Sequence, residues 1–541
     1  MSAIERGRAE LVAWMAAQPD NLCTDDTELQ ALLEHHGLLD RMPSLERTGA
    51  AVAGPLDEAA RTNNRHHNLP RYAGWDGVGQ YTAAVDHHPS WREAGKIIYG
   101  TGIMAAYGET VVPHRYILSL FYLTAQAGEA GHNCPLACDA GAIRALQALG
   151  TDKQKDQFLY KLLDPDFDTN FTASQFLTEV QGGSDVGANA VEARQDGEGR
   201  WVISGEKWFC SNADADVFLM TARVEGQGKG TRGLGLFVVP RVLEDGSLNG
   251  FRIRRLKDKL GTRSMASAEI DFDHAVAEPL GAPEQGFRNV IRLVITTSRL
   301  YNAFGCAGHA RRAWAVASTY AQHRSAFGQP IGRFAEVAET LAWIRADAVA
   351  SLASSLWLAG FLERQEAGEL SREEEGFFRM AVNLNKMWTA KLAHEAVNRG
   401  IEVLGGNGAI ESFSVLPRLL RDNVVYENWE GTHNVLCAQV LRDARRLGVH
   451  EGFFAVLAER LGEKELAVEA AAFEALLGGP VGLAGLRMRR LAPRLATLTM
   501  LAAMAPVEAL SSAAEMTRRH LWPHEVDEGY LALVESLQRH S

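Results

Sequence analysis

Tyr426-Glu427-Asn428-Trp429-Glu430-Gly431-Thr432 sets a carboxylate between an indole and a glycine. An aromatic neighbour shields a carboxylate from water, and a residue without a side chain lets a ligand come close, so Glu430 suits a general base. A glutamate ahead of a glycine also ends many helices as a solvated residue. The rest of the chain has to arbitrate.

Working back from this stretch, Gly405-Gly406-Asn407-Gly408 ends a helical pattern. Because it follows a helix and not a strand, a Rossmann fingerprint is a poor reading; a helix C-cap and a close backbone approach to a cofactor both remain. Arg324-Ser325-Ala326-Phe327-Gly328 closes another helical run, where the guanidinium could meet a pyrophosphate or cap a surface helix. Further back stand Lys259-Leu260-Gly261-Thr262-Arg263-Ser264 and Gly205-Glu206-Lys207-Trp208-Phe209-Cys210-Ser211-Asn212. The aromatics of the second could flank a flat conjugated ring or fill a core. Thr178-Glu179-Val180-Gln181-Gly182-Gly183-Ser184-Asp185 is a loop of glycines and hydroxyls. Its backbone N–H groups could approach a phosphate or a polarised ring, or it could be an ordinary loop.

The chain has 541 residues, of which 46% are apolar, enough for several packed units. A formal charge of −12 argues against a general polyanion binder, which needs a basic face to displace counterions. The six cysteines (Cys23, Cys134, Cys138, Cys210, Cys306, Cys437) are scattered; Cys134 and Cys138, with His132, are too few ligands for a metal site. Reduced thiols and a cytoplasmic location are expected. No secretory or transit peptide is evident at Met1-Ser2-Ala3-Ile4-Glu5-Arg6. The longest apolar run, Leu495 to Leu510, is interrupted by Thr497, Thr499, Pro506 and Glu508 and falls short of a membrane span.

Apolar spacing of three and four makes residues 1–170 helical, with a less periodic, histidine-bearing stretch from His66 to His88 expected to be a solvated connector. Residues 171–283 carry short β-prone runs at Trp201–Ser204, Val217–Met220 and Leu236–Val239, with Asp196-Gly197-Glu198-Gly199 as a hairpin turn. Residues 284–447 return to long helical patterns. Residues 448–541 form a further helical extension with a flexible joint at Gly478-Gly479-Pro480. The fold class is α+β and multidomain.

The motifs, in this order, resemble the acyl-CoA dehydrogenase family of flavoproteins: Thr-Glu-x-x-Gly-Gly-Ser-Asp, Gly-x-Lys-x-x-x-x-Asn, Lys-x-Gly-x-Arg-Ser, Arg-x-x-Phe-Gly, Leu-Gly-Gly-Asn-Gly and aromatic-Glu-Gly-Thr, over about residues 90 to 447. The resemblance implies an N-terminal helical domain, a central antiparallel β-domain and a C-terminal four-helix bundle, with FAD between the last two and against a neighbouring subunit of a homotetramer. It implies that Leu177 and Thr178 meet the flavin pyrimidine edge, with Gly183 in the same loop. Ser184 would meet bound ligand or phosphate, and Phe209 and Ser211 the ring. Arg324, Phe327, Glu402, Gly405 and Gly406 would hold the ADP half, and Thr432 and Asn434 would touch the cofactor. Glu430 would remove the α-proton of an acyl-CoA thioester while the β-hydrogen leaves as hydride to flavin N5, with Arg299, Trp429, Gly431 and Ser184 around the substrate. An electron-transfer flavoprotein would take the electrons. Some members carry the base on the helix beginning near Gly286; the matching position beside Arg299 is Ser298, which cannot serve.

Departures from the family pattern point to its AidB-like branch, flavoproteins of the adaptive response to DNA alkylation. Trp429 stands where tyrosine or phenylalanine is usual, Phe209 for tryptophan and Ser211 for threonine; Pro70-Arg71-Tyr72 and His88-Pro89-Ser90-Trp91 fit the branch's N-terminal extension. That branch implies DNA binding through the C-terminal extension as an alternative function. From Glu451 to Ser541, however, nine Lys/Arg stand against twelve Asp/Glu, a balance of −3 that does not favour DNA. Only Arg487, Arg489, Arg490, Arg494 and Arg518-Arg519 cluster, and they could equally form salt bridges.

Overall fold

The computed structural model describes residues 2–522 and 525–538. Two compact units emerge, each assembled from separated stretches of chain: Met1–Pro55, His114–Gly128 and Arg299–Ser541 make one, Leu56–Pro113 and Glu129–Ser298 the other. This division does not follow the sequence-based boundaries, because helices of the first 170 residues are shared between both units.

The second unit is built on strands. A hairpin of β1 (Arg71–Trp75) and β2 (Tyr81–Asp86) precedes a seven-stranded sheet of β3 (Ala173–Phe176), β4 (Glu192–Gln195), β5 (Trp201–Ser211), β6 (Val217–Val224), β7 (Leu234–Pro240), β8 (Phe251–Leu256) and β9 (Ser267–Pro279). Six of them run in the order β3-β6-β4-β5-β9-β7, β8 pairs with β9 off this path, and a further β6–β7 pairing closes the sheet on itself. Pairing is antiparallel except that β3 and β4 each run parallel to β6, on its residues Val217–Met220 and Arg223–Val224. Closure buries β7 along its whole length, so it reads as an unbroken apolar run, whereas β8 alternates Phe251 and Ile253 inward with arginines outward. Phe176, Phe218, Phe237, Phe251 and Phe272 fill the interior. The turn Asp196–Gly199 joins β4 to β5 as the sequence predicts, with Gly199 at φ 78°.

The stretch from His66 to His88 is not the solvated connector expected. Tyr72 Oη donates to Ile253 O at 2.8 Å and Ile253 N donates to Tyr81 Oη at 2.6 Å, so the hairpin is fastened to β8. His87 pairs with Asp214 at 2.9 Å and stacks on Trp91 at 4.0 Å. The aromatic alternation that docks it is too short to stand out from the prolines and glycines around it.

The first unit is helical. Thr296–His323, Ala335–Glu366, Arg372–Leu404 and the pair Leu416–Asn428 and His433–Leu447 form the bundle. Ser371 starts the third helix with a reciprocal capping box to Glu374. The chain then adds Val449–Leu461, Glu463–Leu477, Val481–Met504, Ser511–Arg518 and Glu528–Gln538. The joint at Gly478–Pro480 is held, not loose: Arg445 Nη2 donates to Leu476 O at 2.8 Å and Gly479 O at 3.0 Å. None of the six cysteines is in a disulfide and all are buried, and among the described residues no helix is long and apolar enough to cross a membrane.

Candidate active site

Glu430 lies in the turn joining Leu416–Asn428 to His433–Leu447. The first helix stops at Trp429, which is extended (φ −72°, ψ 162°); Glu430 then takes φ 57°, Gly431 φ 106° and Thr432 an extended N-cap conformation. Glycine is required at 431, since a Cβ there would be strained and would press within 3.0 Å of Leu436 Cδ2. At Glu430 the left-handed backbone is unusual for a residue with a side chain, and such outliers persist where surrounding contacts over-determine them.

Those contacts come from two buried cations. Arg299 Nε donates to Glu430 O at 3.1 Å, while its other nitrogens reach Gln439 Oε1 at 3.1 Å and Asn383 Oδ1. Lys386 donates to Glu427 O and Gly431 O, each at 3.1 Å. Burial raises the Glu430 carboxyl above its ordinary range, with Arg299 and Lys386 pulling the other way. Burial likewise pushes the Lys386 ammonium down to about 8, with Arg299 adding to it and Glu430 and Glu427 opposing. A carboxylate raised by desolvation yet flanked by cations is the electrostatic setting of a base that must both ionise and accept a proton.

Around the turn, Trp429 rests against the core, 4.8 Å from the Tyr426 ring. Glu427 is paired with His394 at 2.8 Å and His433 at 2.6 Å. Burial opposes its charge, but the two imidazoles win and hold its carboxyl down to about 2. Thr432 and Asn434 lie at the start of the following helix, Asn434 exposed.

Arg324, Phe327, Glu402, Gly405 and Gly406 occupy a second place in the same unit. Gly405 ends its helix at φ 59°, and a Cβ at Gly405 or Gly406 would meet nothing within 4 Å. Tyr320 links this turn to Arg324: Asn407 Nδ2 donates to Tyr320 Oη at 3.1 Å, and Arg324 N donates to Tyr320 O at 2.8 Å. Phe327 is 97% exposed and Glu402 is exposed too. Arg324 already has a partner, Glu10 Oε2 at 3.1 Å.

In the strand-built unit, the loop after β3 is tied to β5. Trp208 N donates to Thr178 O at 2.9 Å, Asn189 Nδ2 to Leu177 O at 2.5 Å, and a Cβ on Gly183 would only touch Thr178 Cγ2. Glu179, fully buried, takes Lys207 Nζ at 2.7 Å and the N–H groups of Ala190 and Val191 at 2.6 and 3.1 Å. The motif's acid and the next motif's lysine are therefore one structural pair. They leave Phe209 half exposed beside the loop, Lys257 standing 4.6 Å from its ring, with Ser211 at the strand end and Gly183 and Ser184 exposed. Ser298 is buried at 3.3 Å from Gln175 Oε1.

Sequence reasoning missed Lys386, Asn383, Gln439 and the His394–Glu427–His433 group. Lys386 carried one signal, a lysine amid apolar neighbours in the middle of a helix, but nothing local says that its nitrogen ends beneath a turn elsewhere in the chain.

Three family models match the chain: the adaptive response protein AidB N-terminal domain at residues 15–169, the acyl-CoA dehydrogenase middle domain at 174–275, and the acyl-CoA dehydrogenase C-terminal domain at 284–444. Acyl-CoA dehydrogenase family member 11 of Caenorhabditis elegans is 32% identical, covering 77% of this chain and 69% of that protein. AidB of Escherichia coli is 31% identical over 69% of each. Among solved structures, Bd2924 in its apo form superposes with a TM-score of 0.83 at 29% identity over 92% of this chain and 98% of that one. The C. elegans ACDH-11 complex with C11-CoA gives 0.79 at 26% identity, over 95% and 92%. The chain belongs to the acyl-CoA dehydrogenase family and carries the AidB-type N-terminal region.

Proposed function

We propose that the protein is an FAD-dependent acyl-CoA dehydrogenase-type oxidoreductase in which Glu430 removes the α-proton of an acyl thioester. The observation that carries this is the left-handed turn at Glu430, a partly buried carboxyl whose turn is held by the cations Arg299 and Lys386. The residues fit FAD. A half-exposed Phe209 beside the Thr178 loop suits a conjugated ring, and an open glycine turn near Arg324 suits a diphosphate.

Leu177, Thr178, Gly183, Phe209 and Ser211 would hold the ring. Arg324, Phe327, Glu402, Gly405 and Gly406 would hold the ADP half, with Thr432 and Asn434 also at the cofactor. When bound, FAD supplies the hydride acceptor. The protein's own work is the proton: Glu430 accepts it at its carboxylate, Arg299 fixes the peptide that carries it, Gly431 leaves space for substrate, and Trp429 adjoins the base. Such a positioned base contributes about 10²–10⁴ in rate.

Onward transfer to an electron-transfer flavoprotein and a homotetramer belong to the same reading, as does a cytoplasmic location, which six cysteines without a disulfide favour. DNA binding is the lesser reading. Arg487 and Arg490 are exposed, but Arg494, Arg518 and Arg519 are spent on Glu469, Glu465 and Glu515.

Anaerobic addition of a panel of acyl-CoAs to the purified flavoprotein tests this. Bleaching of the oxidised-flavin absorbance by one chain length, abolished in Glu430→Gln, is expected. No bleaching at any chain length, together with salt-sensitive duplex binding lost on replacing Arg487, Arg489 and Arg490, would transfer the case to DNA.

A further inference from the structure

Lys386 sits in the middle of the helix Arg372–Leu404 with none of its surface exposed. A buried ammonium is costly to desolvate, and one whose direct partners are neutral carbonyls recovers less than one bonded to a carboxylate. For stability alone a methionine would serve such a place. Its two acceptors explain the lysine: Glu427 O closes the helix before Glu430, and Gly431 O lies just past it, both at 3.1 Å. Arg299, from the helix Thr296–His323, takes the carbonyl of Glu430 itself. Carbonyls before, at and after the left-handed residue are thus drawn to two cations carried by two separate helices.

We infer that Lys386 is a positioning residue for Glu430: by holding the Glu427 and Gly431 carbonyls it locks the turn that presents the carboxylate, and its charge favours the ionised form of that carboxylate. The inference rests on Glu430 being the base. The charged or titratable groups that bear on Lys386 are Cys306, Glu430, Arg299 and Glu427; those that bear on Glu430 are Arg299 and Lys386. Removing the ammonium leaves only Arg299 to offset the burial of the carboxyl, so the base should need a higher pH to ionise. Deleting the N–H donors should loosen the turn.

The test uses full-length holoprotein carrying Lys386→Met or Lys386→Gln, with Glu430→Gln as control, and follows flavin reduction by stopped flow across the pH range with an acyl-CoA that bleaches the unmodified protein. Lys386→Met should lower the limiting reduction rate about 10²-fold, leave acyl-CoA affinity within about threefold, and move the acid limb of the profile to higher pH. Lys386→Gln, which keeps N–H donors without charge, should recover part of the rate while retaining the shifted limb. A Lys386→Met protein that keeps FAD with an unchanged rate and limb overturns the inference, as does one that only melts lower with the limb unmoved; if that variant does not fold, the limb of Lys386→Gln decides.

Failure of the underlying reading looks different, because Glu430→Gln would then reduce as fast as the unmodified protein. Should no acyl-CoA bleach the flavin, crystal structures of the unmodified and Lys386→Met proteins decide the clamp. Glu430 still at positive φ in the variant overturns it, and a rotated turn supports it.

Discussion

At the scale of single residues, the turn around Glu430 is governed by charges brought from other helices, and its pH behaviour follows. Glu427 has its folded value held down to about 2 from an ordinary 4.5, so the stability it contributes is present above 4.5 and lost as pH falls toward 2. His394, raised above its ordinary 6.5 by its pairing with Glu427, contributes stability that is complete below 6.5 and lost as pH rises through its folded value. Both contributions coexist between 4.5 and 6.5. Denaturant unfolding of Glu427→Gln against the unmodified protein should therefore show its largest deficit in that window; a deficit that does not vary with pH would remove the two imidazoles from the account. Glu430 could be singled out from sequence because Trp429 and Gly431 stand beside it in the chain. Lys386 was not, because its partners are set by helix packing.

Among the structural elements, the loop after β3 and the N-terminal helix each prepare one of the proposed cofactor contacts. Glu179 and Lys207 are fully buried and hold that loop to β5. Breaking a buried pair by removing one partner costs about 3–5 kcal/mol, so Glu179→Ala should show a loss of that order in denaturant unfolding and retain less FAD. Lys207→Met/Glu179→Leu should recover much of the stability; a single variant as stable as the parent would refute the role given to the pair.

The helix Ala3–Ala16 stacks Trp14 on Phe413 (4.8 Å, 14°) and edge-on to Tyr320, and places Glu10 on Arg324. Gly405→Ala forces a side chain into a positive-φ conformation (φ 59°, ψ −140°) close to one essentially reserved for glycine, at about 1–3 kcal/mol, and FAD affinity measured by flavin fluorescence should fall with it. The β-hairpin turn at Asp196–Gly199 and the helix stop at Gly405 were readable from residues in place. The hairpin of β1 and β2 was not, because it is held by β8, far along the chain.

For the molecule as a whole, the C-terminal extension is part of the helical unit. Phe453 stacks on Phe377 at 5.8 Å and 20°, His520 and Arg399 share Asp347 at 2.8 and 3.0 Å, and Arg345 bridges Glu28 and Leu537 O at 2.6 and 2.9 Å. Ending the chain after Leu447 would leave Asp347, fully buried, with fewer partners and bare the Phe377 surface. A truncated protein is expected to aggregate or melt well below the full chain in calorimetry, and unchanged melting would show the extension to be an appendage.

Order and spacing of the motifs, with their apolar periodicity, determined the family and the main helical and β regions by themselves and singled out Glu430 as the proposed base, because each of those signals is local. Only the tertiary structure decided which charges surround Glu430, that the acid of one motif and the lysine of another form a single buried pair, and that Arg494, Arg518 and Arg519 of the extension are paired with glutamates. Those outcomes depend on which distant side chains packing brings within hydrogen-bonding range, and no local pattern records that.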